Sequence, residues 1–281
     1  MRNNQQIRAN FRSELTSGKT LQLPGAFNAM VALLIEQYEF DGVYGSGAVI
    51  SNSLGLSDTG LTTLQDVELF AQQILSKSTL PFLLDIDTGF NDVARTVRTM
   101  ENIGVTGIHL EDQVDAKLCG HLEGKQLIST SAMVEKVKQA ISAKTDPNFL
   151  IMARTDAKSV EGIQSAIDRA KASVDAGAEA IFPEALHNEK EMEQFRSAID
   201  VPLLSNMTEF GKTELLDLTT IENLGYELVI YPVTMQRLAM MAVENGLQTI
   251  KKRGTQAQII PEMQTRKRLY EVLQYDYYKK E

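Results

Sequence analysis

Cys119 is the only cysteine in a chain of 281 residues. It lies between two cationic neighbours in Lys117-Leu118-Cys119-Gly120-His121. Cations this close favour the thiolate and lower a cysteine pKa. A lone cysteine is ordinarily a small buried apolar residue. Here Leu118 and Leu122 are the only large apolar residues within four positions, so the spacing reads as a thiol placed for chemistry.

Carboxylates form the second set. Asp85 and Asp87 are two apart on an apolar run, so in a strand both point to one side. Two such groups repel unless a proton or cation lies between them. Hard oxygen donors suit Mg²⁺ or Mn²⁺, which keep waters and accept substrate oxygens. Glu111, ending the next apolar run, is a third candidate ligand. Arg154, Arg237 and Arg266 are candidate clamps for substrate carboxylates, which a guanidinium binds as a fork. Arg266 lies in the run Arg266-Lys267-Arg268, a pattern more typical of a solvated face. His121 is a switchable charge or donor. His109 is expected out of phase with the carboxylates, as a structural histidine. His187 receives no role.

These residues need a scaffold that gathers them. Eight short apolar runs are predicted strands: Leu21–Phe27, Gly42–Gly47, Pro81–Asp87, Gly107–Asp112, Phe149–Ala157, Ala180–Ala185, Pro202–Thr208 and Leu228–Thr234. Helical patterns occupy 28–38, 63–78, 92–103, 130–143, 161–176, 189–198, 213–223 and 235–252, with a ninth at 261–278. In 161–176, Ile163, Ala166, Ile167, Ala170 and Val174 share one face, and Gly177 stops the helix. The ninth has Tyr270, Leu273 and Tyr277 on one side, placed to cover the barrel or reach a neighbouring subunit. Eight strand–helix units predict a single α/β domain, a (β/α)₈ barrel of TIM type over residues 1–281 with a C-terminal helical extension. A doubly wound sheet is the alternative, but the turn after the first strand lacks GxGxxG.

A barrel places its chemistry at the C-terminal ends of the strands. Those ends after the first carry Tyr44 to Gly47, Asp85 and Asp87, Glu111 with the cysteine loop, Arg154, Glu184, Asn206 with Thr208, and the Tyr231 to Arg237 region. The N-terminal ends carry little that reacts. This asymmetry points to an enzyme. The net charge of -9 argues against nucleic acid or an anionic membrane as partner. No secretory signal or membrane span is visible, and the single cysteine fits a reducing compartment, the cytoplasm.

The Lys117–His121 segment resembles the K-[KR]-C-G-H signature of the isocitrate lyase/phosphoenolpyruvate mutase superfamily. The resemblance extends through Ser53–Asp58, Asp85-x-Asp87-x-Gly89-Phe90, Glu111-Asp112-Gln113, Met152–Ala157, Phe182–Ala185, Asn206–Gly211, Tyr231-Pro232 and Met263–Arg266. The short chain and the Asn206–Gly211 and Met263–Arg266 stretches are most similar to the branch that cleaves 2-methylisocitrate.

The resemblance implies a Mg²⁺-dependent retro-Claisen cleavage of 2-methylisocitrate to pyruvate and succinate, in the methylcitrate cycle of propionate catabolism. It also implies a homotetramer with exchanged terminal helices. Asp85, Asp87 and Glu111 would serve the metal, and Ser46, Gly47 and Ala48 the pyruvate half. Arg154, His121 and Asn206 would stabilise the departing carbanion. Cys119 would deliver its proton, and Lys117 belongs to the same catalytic group. Tyr44 is the candidate base. Gly120, Glu184, Thr208, Arg237 and Arg266 complete the substrate contacts. Isocitrate or another substituted malate is the alternative substrate. An oxaloacetate decarboxylase-like activity is the rival reaction, but such relatives generally lack the Lys-x-Cys-Gly-His segment. A noncatalytic metabolite-binding relative is disfavoured because Asp85, Asp87 and Cys119 are all present. Two departures bear on the pocket. Ala48-Val49 stands where Gly-Gly is common, and the loop after Gly89-Phe90 is reduced to Asn91-Asp92.

Overall fold

All eight predicted strands form, and all pair in parallel. The computed structural model describes residues 2–275. The strands are β1 (Leu21–Pro24), β2 (Val43–Gly45), β3 (Phe82–Asp85), β4 (Gly107–Glu111), β5 (Leu150–Thr155), β6 (Ala180–Pro183), β7 (Leu204–Asn206) and β8 (Leu228–Tyr231). One sheet runs β2-β3-β4-β5-β6 and another β1-β8-β7. Single parallel bridges, Gly25 with Tyr44 and Ile181 with Leu203, lie between the two sheets. The architecture is α/β with helices between successive strands, as runs buried on both faces predict.

The strands alternate in a way that positions the chemistry. Leu83, Met152, Phe182 and Leu204 pack with Leu21, Leu23, Leu228 and Ile230 in one buried cluster. Two residues further along the same faces come Asp85, Arg154, Glu184 and Asn206. A period of two therefore carries each strand from an apolar residue to a polar one at its C-terminal end.

Two helices were not expected. The first, α1 (Asn4–Glu14), is capped by the Asn3 side chain. It inserts Phe11 into the cluster just described, with Leu15 beside it. No element was expected before Leu21. The second, α3 (Gly47–Ser53), starts where strand two was expected to end.

The expected helices are otherwise present: α2 (Ala29–Gln37), α4 (Leu64–Leu75), α5 (Val93–Ile103), α6 (Thr130–Ala143), α9 (Glu189–Arg196) and α11 (Thr234–Arg253). The helix expected over 161–176 is α8 (Ile163–Asp175), and a separate single turn, α7 (Lys158–Glu161), precedes it across Gly162 at φ 91°. The helix expected from 213 begins later, as α10 (Leu218–Asn223), because Asp217 caps it. The 261–278 stretch is not one helix. A 3-10 turn spans Ala257–Glu262 and α12 spans Arg266–Val272. Tyr277 and positions 276–278 lie outside the described residues. Among the described residues, no helix is long and apolar enough to cross a membrane.

Candidate active site

The C-terminal strand ends open into one cavity of about 610 Å³. Its lining includes Tyr44, Ser46, Ala48, Asp85, Lys117, Cys119, Gly120, His121, Arg154, Glu184, Asn206, Thr208 and Arg237. The sequence reading named all of these. Asp87, Glu111 and Gly47 lie just behind the wall. Arg266 does not reach the cavity. It opens α12, exposed, on the helix that packs against α2, so within one chain the solvated-face alternative is the correct one.

Asp85 and Asp87 converge on the start of α3. A Cβ on Gly47 would lie 2.8 Å from Asp87 Oδ1 and 3.0 Å from Asp85 Oδ2. The Gly47 amide donates to Asp85 Oδ2 over 3.2 Å and the Asp87 amide to Asp85 Oδ1 over 3.0 Å. Asp87 stands just past β3 at φ 47°, so a turn rather than strand alternation brings it to Asp85. Lys117 Nζ lies 2.7 Å from Asp87 Oδ1 and also pairs with Asp58. Burial opposes its ammonium, but Asp87, Glu111, Asp85 and Asp58 outweigh this and hold its pKa well above the ordinary value.

Glu111 is 1% exposed, and neither of its oxygens accepts a hydrogen bond. Its nearest cation is Arg154 Nε at 3.4 Å, a charge contact only. Burial pushes this carboxyl well above the ordinary range. Among the described residues, no three His, Cys, Asp or Glu side chains form a ready-made metal cage. The three expected ligands are thus not one chelating set: an Asp pair stands in front and Glu111 is turned toward Arg154. Paired Asp oxygens beside unsatisfied Glu oxygens still fit a hard divalent cation that takes water and substrate as its other ligands.

Two strands along, at the end of β5, Arg154 is buried among carboxylates. Its Nε lies 2.9 Å from Asp156 Oδ2 and its Nη2 3.2 Å from Glu184 Oε2. The guanidinium also rests 5.0 Å from the centre of the Phe182 ring. Gly120 packs directly on this group, since a Cβ there would be 2.4 Å from Arg154 Nη2.

His121 Nδ1 accepts from the Lys212 backbone amide over 3.0 Å. In the neutral ring the proton then sits on Nε2, 3.3 Å from Glu184 Oε1. Burial lowers the His121 pKa. The Cys119 thiol is pushed upward, first by burial. This corrects the expectation of a thiolate. Lys117 is engaged by Asp58 and Asp87, and His121 is held neutral, so neither lends its charge to sulfur.

Tyr44 and His109 provide two further corrections. The Tyr44 hydroxyl lies 2.7 Å from His109 Nε2. Burial, then the charge of Asp85, raises its pKa well above the ordinary value, so Tyr44 rests as a neutral phenol and not as the phenolate that the expected base requires. His109 is not out of phase: it pairs with Asp85 across β3 and β4 and precedes Glu111 by two. Burial lowers it to about 4, and its Nδ1, 3.7 Å from Asp85 Oδ1, has no hydrogen-bond partner. The two-residue spacing of His109 and Glu111 was the available signal. Asp58 was noted only within a motif, and Gln236 and Asn52, also in the lining, left no signal in the sequence.

Residues 11–251 match the family model described as phosphoenolpyruvate phosphomutase. The chain belongs to this family. It thereby falls within the isocitrate lyase/phosphoenolpyruvate mutase superfamily, as the motifs implied. A relative from Corynebacterium glutamicum, named probable 2-methylisocitrate lyase 1, is 53% identical over 95% of this chain and 89% of its own. Among solved structures, 2,3-dimethylmalate lyase superposes with a TM-score of 0.90 at 30% identity, covering 98% of this chain and 93% of that one. Phosphonopyruvate hydrolase, in complex with oxalate and Mg²⁺, superposes with a TM-score of 0.87 at 27% identity, covering 97% and 96%. These solved structures thus share the overall architecture of this chain.

Proposed function

We propose that this protein is a carbon–carbon lyase that cleaves 2-methylisocitrate to pyruvate and succinate, serving the methylcitrate cycle. The observation that carries this reading is one cavity with two chemically opposed walls. One wall has the Asp85–Asp87 pair and the other a protonated Cys119 thiol beside Arg154 and His121. Relatives named for 2-methylisocitrate cleavage match almost the whole chain.

In a retro-Claisen cleavage the substrate hydroxyl gives its proton to water in the open cavity, the adjacent C–C bond breaks, and the oxygen becomes the keto group of pyruvate. The bonding pair leaves on the succinate carbon, spread into its neighbouring carboxylate. Asp85 and Asp87, with Glu111 behind them, would hold Mg²⁺ or Mn²⁺. Such an ion, when bound, supplies the positive charge that makes ionisation of the hydroxyl less costly. Ser46 and Ala48 line the pyruvate half, with Gly47 between them just behind the wall. Tyr44 donates from its phenol. Arg154, Asn206 and the Nε2–H of His121 face the carboxylate on which charge develops, and fixed donors there favour the transition state. Glu184 orients Arg154 and His121. The Cys119 S–H then gives its proton to the succinate carbon and is left as thiolate, a role that requires a thiol at the start. Lys117 anchors the loop entrance, Gly120 lets that loop lie on Arg154, and Thr208 and Arg237 border the mouth.

The two sheets with their bridging contacts support reading the strands as one closed (β/α)₈ barrel in a single domain. A cytoplasmic homotetramer with exchanged C-terminal helices accounts for α11. That helix exposes Met240 at 47%, Val243 at 49%, Leu247 at 63% and Ile250 at 47%, an apolar stripe on one helix face that a neighbouring subunit would cover.

The test is keto-acid release with Mg²⁺ from 2-methylisocitrate, isocitrate and oxaloacetate, by the natural chain and by Cys119→Ser. Pyruvate with succinate from 2-methylisocitrate, lowered about 10²-fold or more in Cys119→Ser, supports the reading. Glyoxylate from isocitrate at a higher rate would reassign the substrate. Turnover of oxaloacetate alone would move the decarboxylase ahead.

A further inference from the structure

We propose that Lys125 is a positioning residue that sets the cysteine loop and Arg154 in register with each other. This rests on the lyase reading of the same site. Lys125 closes the stretch that begins at Lys117, yet it is not among the residues lining the cavity. Its side chain is 1% exposed. Nζ donates to the Gly120 carbonyl, next to Cys119, and lies 2.9 Å from Asp156 Oδ1.

Asp156 is fully buried at the end of β5. It takes Arg154 through two contacts, 2.9 Å from Nε and 3.3 Å from Nη2. The Asp112 carboxylate fixes its backbone amide over 2.9 Å. One ammonium therefore joins the peptide beside the thiol to the carboxylate that aims the guanidinium. The fit is close on the other side too, because Gly120 has no room for a Cβ against Arg154. Other contacts hold the loop at different points. The Gln113 side chain pairs with both backbone groups of Leu118, and Lys117 ties its entrance to Asp58 and Asp87. His121 reaches the Arg154 wall through Glu184, and Lys125 ties the loop to the same guanidinium through Asp156. Burial opposes ionisation of Asp156, but Arg154 and Lys125 hold it at about 2, so Asp156 remains an anion that needs both cations.

The experiment compares the full-length natural chain with Lys125→Met, which keeps length and removes charge, and Lys125→Gln, which keeps a neutral donor. The first readout needs no substrate: the rate of Cys119 alkylation by iodoacetamide, with thermal unfolding followed in parallel. The second is kcat and KM for 2-methylisocitrate. Lys125→Met is expected to alkylate about tenfold faster and to lose about 10²-fold in kcat, as a misplacement of about 1 Å costs. Lys125→Gln should fall between it and the natural chain. Lys125→Met that folds, alkylates at the natural rate and keeps kcat would overturn the proposal. If Lys125→Met fails to fold, Lys125→Gln decides by the same two readouts. A natural chain that cleaves no 2-methylisocitrate defeats the lyase reading, while the order of alkylation rates still decides the role of Lys125.

Discussion

The backbone amide of Lys212 donates to Nδ1 of His121 over 3.0 Å. This bond joins the loop after β7 to the cysteine loop after β4, and it fixes which ring nitrogen faces Glu184. The contact is possible only because Gly211 lies against the ring: a Cβ there would be 2.8 Å from both Cε1 and Nδ1. Lys212 also pairs with the exposed Glu123, but a surface pair of this kind contributes little. Gly211→Ala should therefore displace His121, and kcat should fall about tenfold or more with little change in unfolding temperature. Full kcat in this variant would show that the tautomer imposed on His121 is not needed.

Gly47 has a comparable constraint beside the Asp85–Asp87 pair. Both Asp carboxylates come within 3.0 Å of where its Cβ would be. Gly47→Ala must push them apart or rotate the start of α3. The expected outcome is a Mn²⁺ affinity weakened about tenfold or more, since hard-cation sites depend on oxygen placement. Electron paramagnetic resonance of free Mn²⁺ measures this without turnover. Unchanged Mn²⁺ binding would place the cation away from the Asp85–Asp87 pair.

Much of this site was legible in the sequence because β structure alternates with period two. Once Asp85, Glu111, Arg154, Glu184 and Asn206 are assigned to strand ends, parallel pairing brings them to one mouth. What did not follow was the charge state. Lys117 and His121 flank Cys119 in sequence, but in space Lys117 turns to Asp58 and Asp87, and His121 turns to Lys212 and Glu184. Sequence neighbours in a loop need not remain electrostatic neighbours. The α1 helix was missed for a different reason. Its apolar contribution is concentrated in Phe11 and Leu15, too few for periodicity to register, although they close the N-terminal end of the inner cluster.

His109 should leave a signature in stability against pH. Folded, it titrates at about 4, chiefly because burial disfavours the charged ring; an ordinary histidine titrates at about 6.5. Between these values the unfolded chain binds the extra proton and the folded chain does not. Stability from this group is thus complete above about pH 7 and falls as pH drops toward 4, by about 3 kcal/mol in all. His109→Gln should flatten the pH 4–7 part of the denaturation profile relative to the natural chain, measured without divalent cations. Parallel profiles for the two would contradict a neutral buried His109.

Arg8 separates stability from chemistry. It lies on α1 at the N-terminal ends of the strands, away from the cavity. Its Nε donates to the Val105 carbonyl over 2.9 Å, Nη2 to the Glu101 carbonyl over 2.6 Å, and Nη1 pairs with Asp146 at 3.0 Å. The guanidinium also stacks 5.2 Å from the Phe149 ring centre. Arg8→Met would leave two carbonyls without this donor and Asp146 without this cation. Losing one partner of a buried pair costs about 3 kcal/mol or more, which in a chain of this size lowers the unfolding temperature by roughly 5 to 10 °C. Since α1 contributes none of the residues that line the cavity, kcat and KM at 25 °C should stay within about twofold of the natural chain. A large loss of kcat in folded Arg8→Met would mean that the N-terminal seal and the active-site mouth are coupled through the strands. A negligible change in unfolding temperature would mean that α1 docks mainly through Phe11 and Leu15.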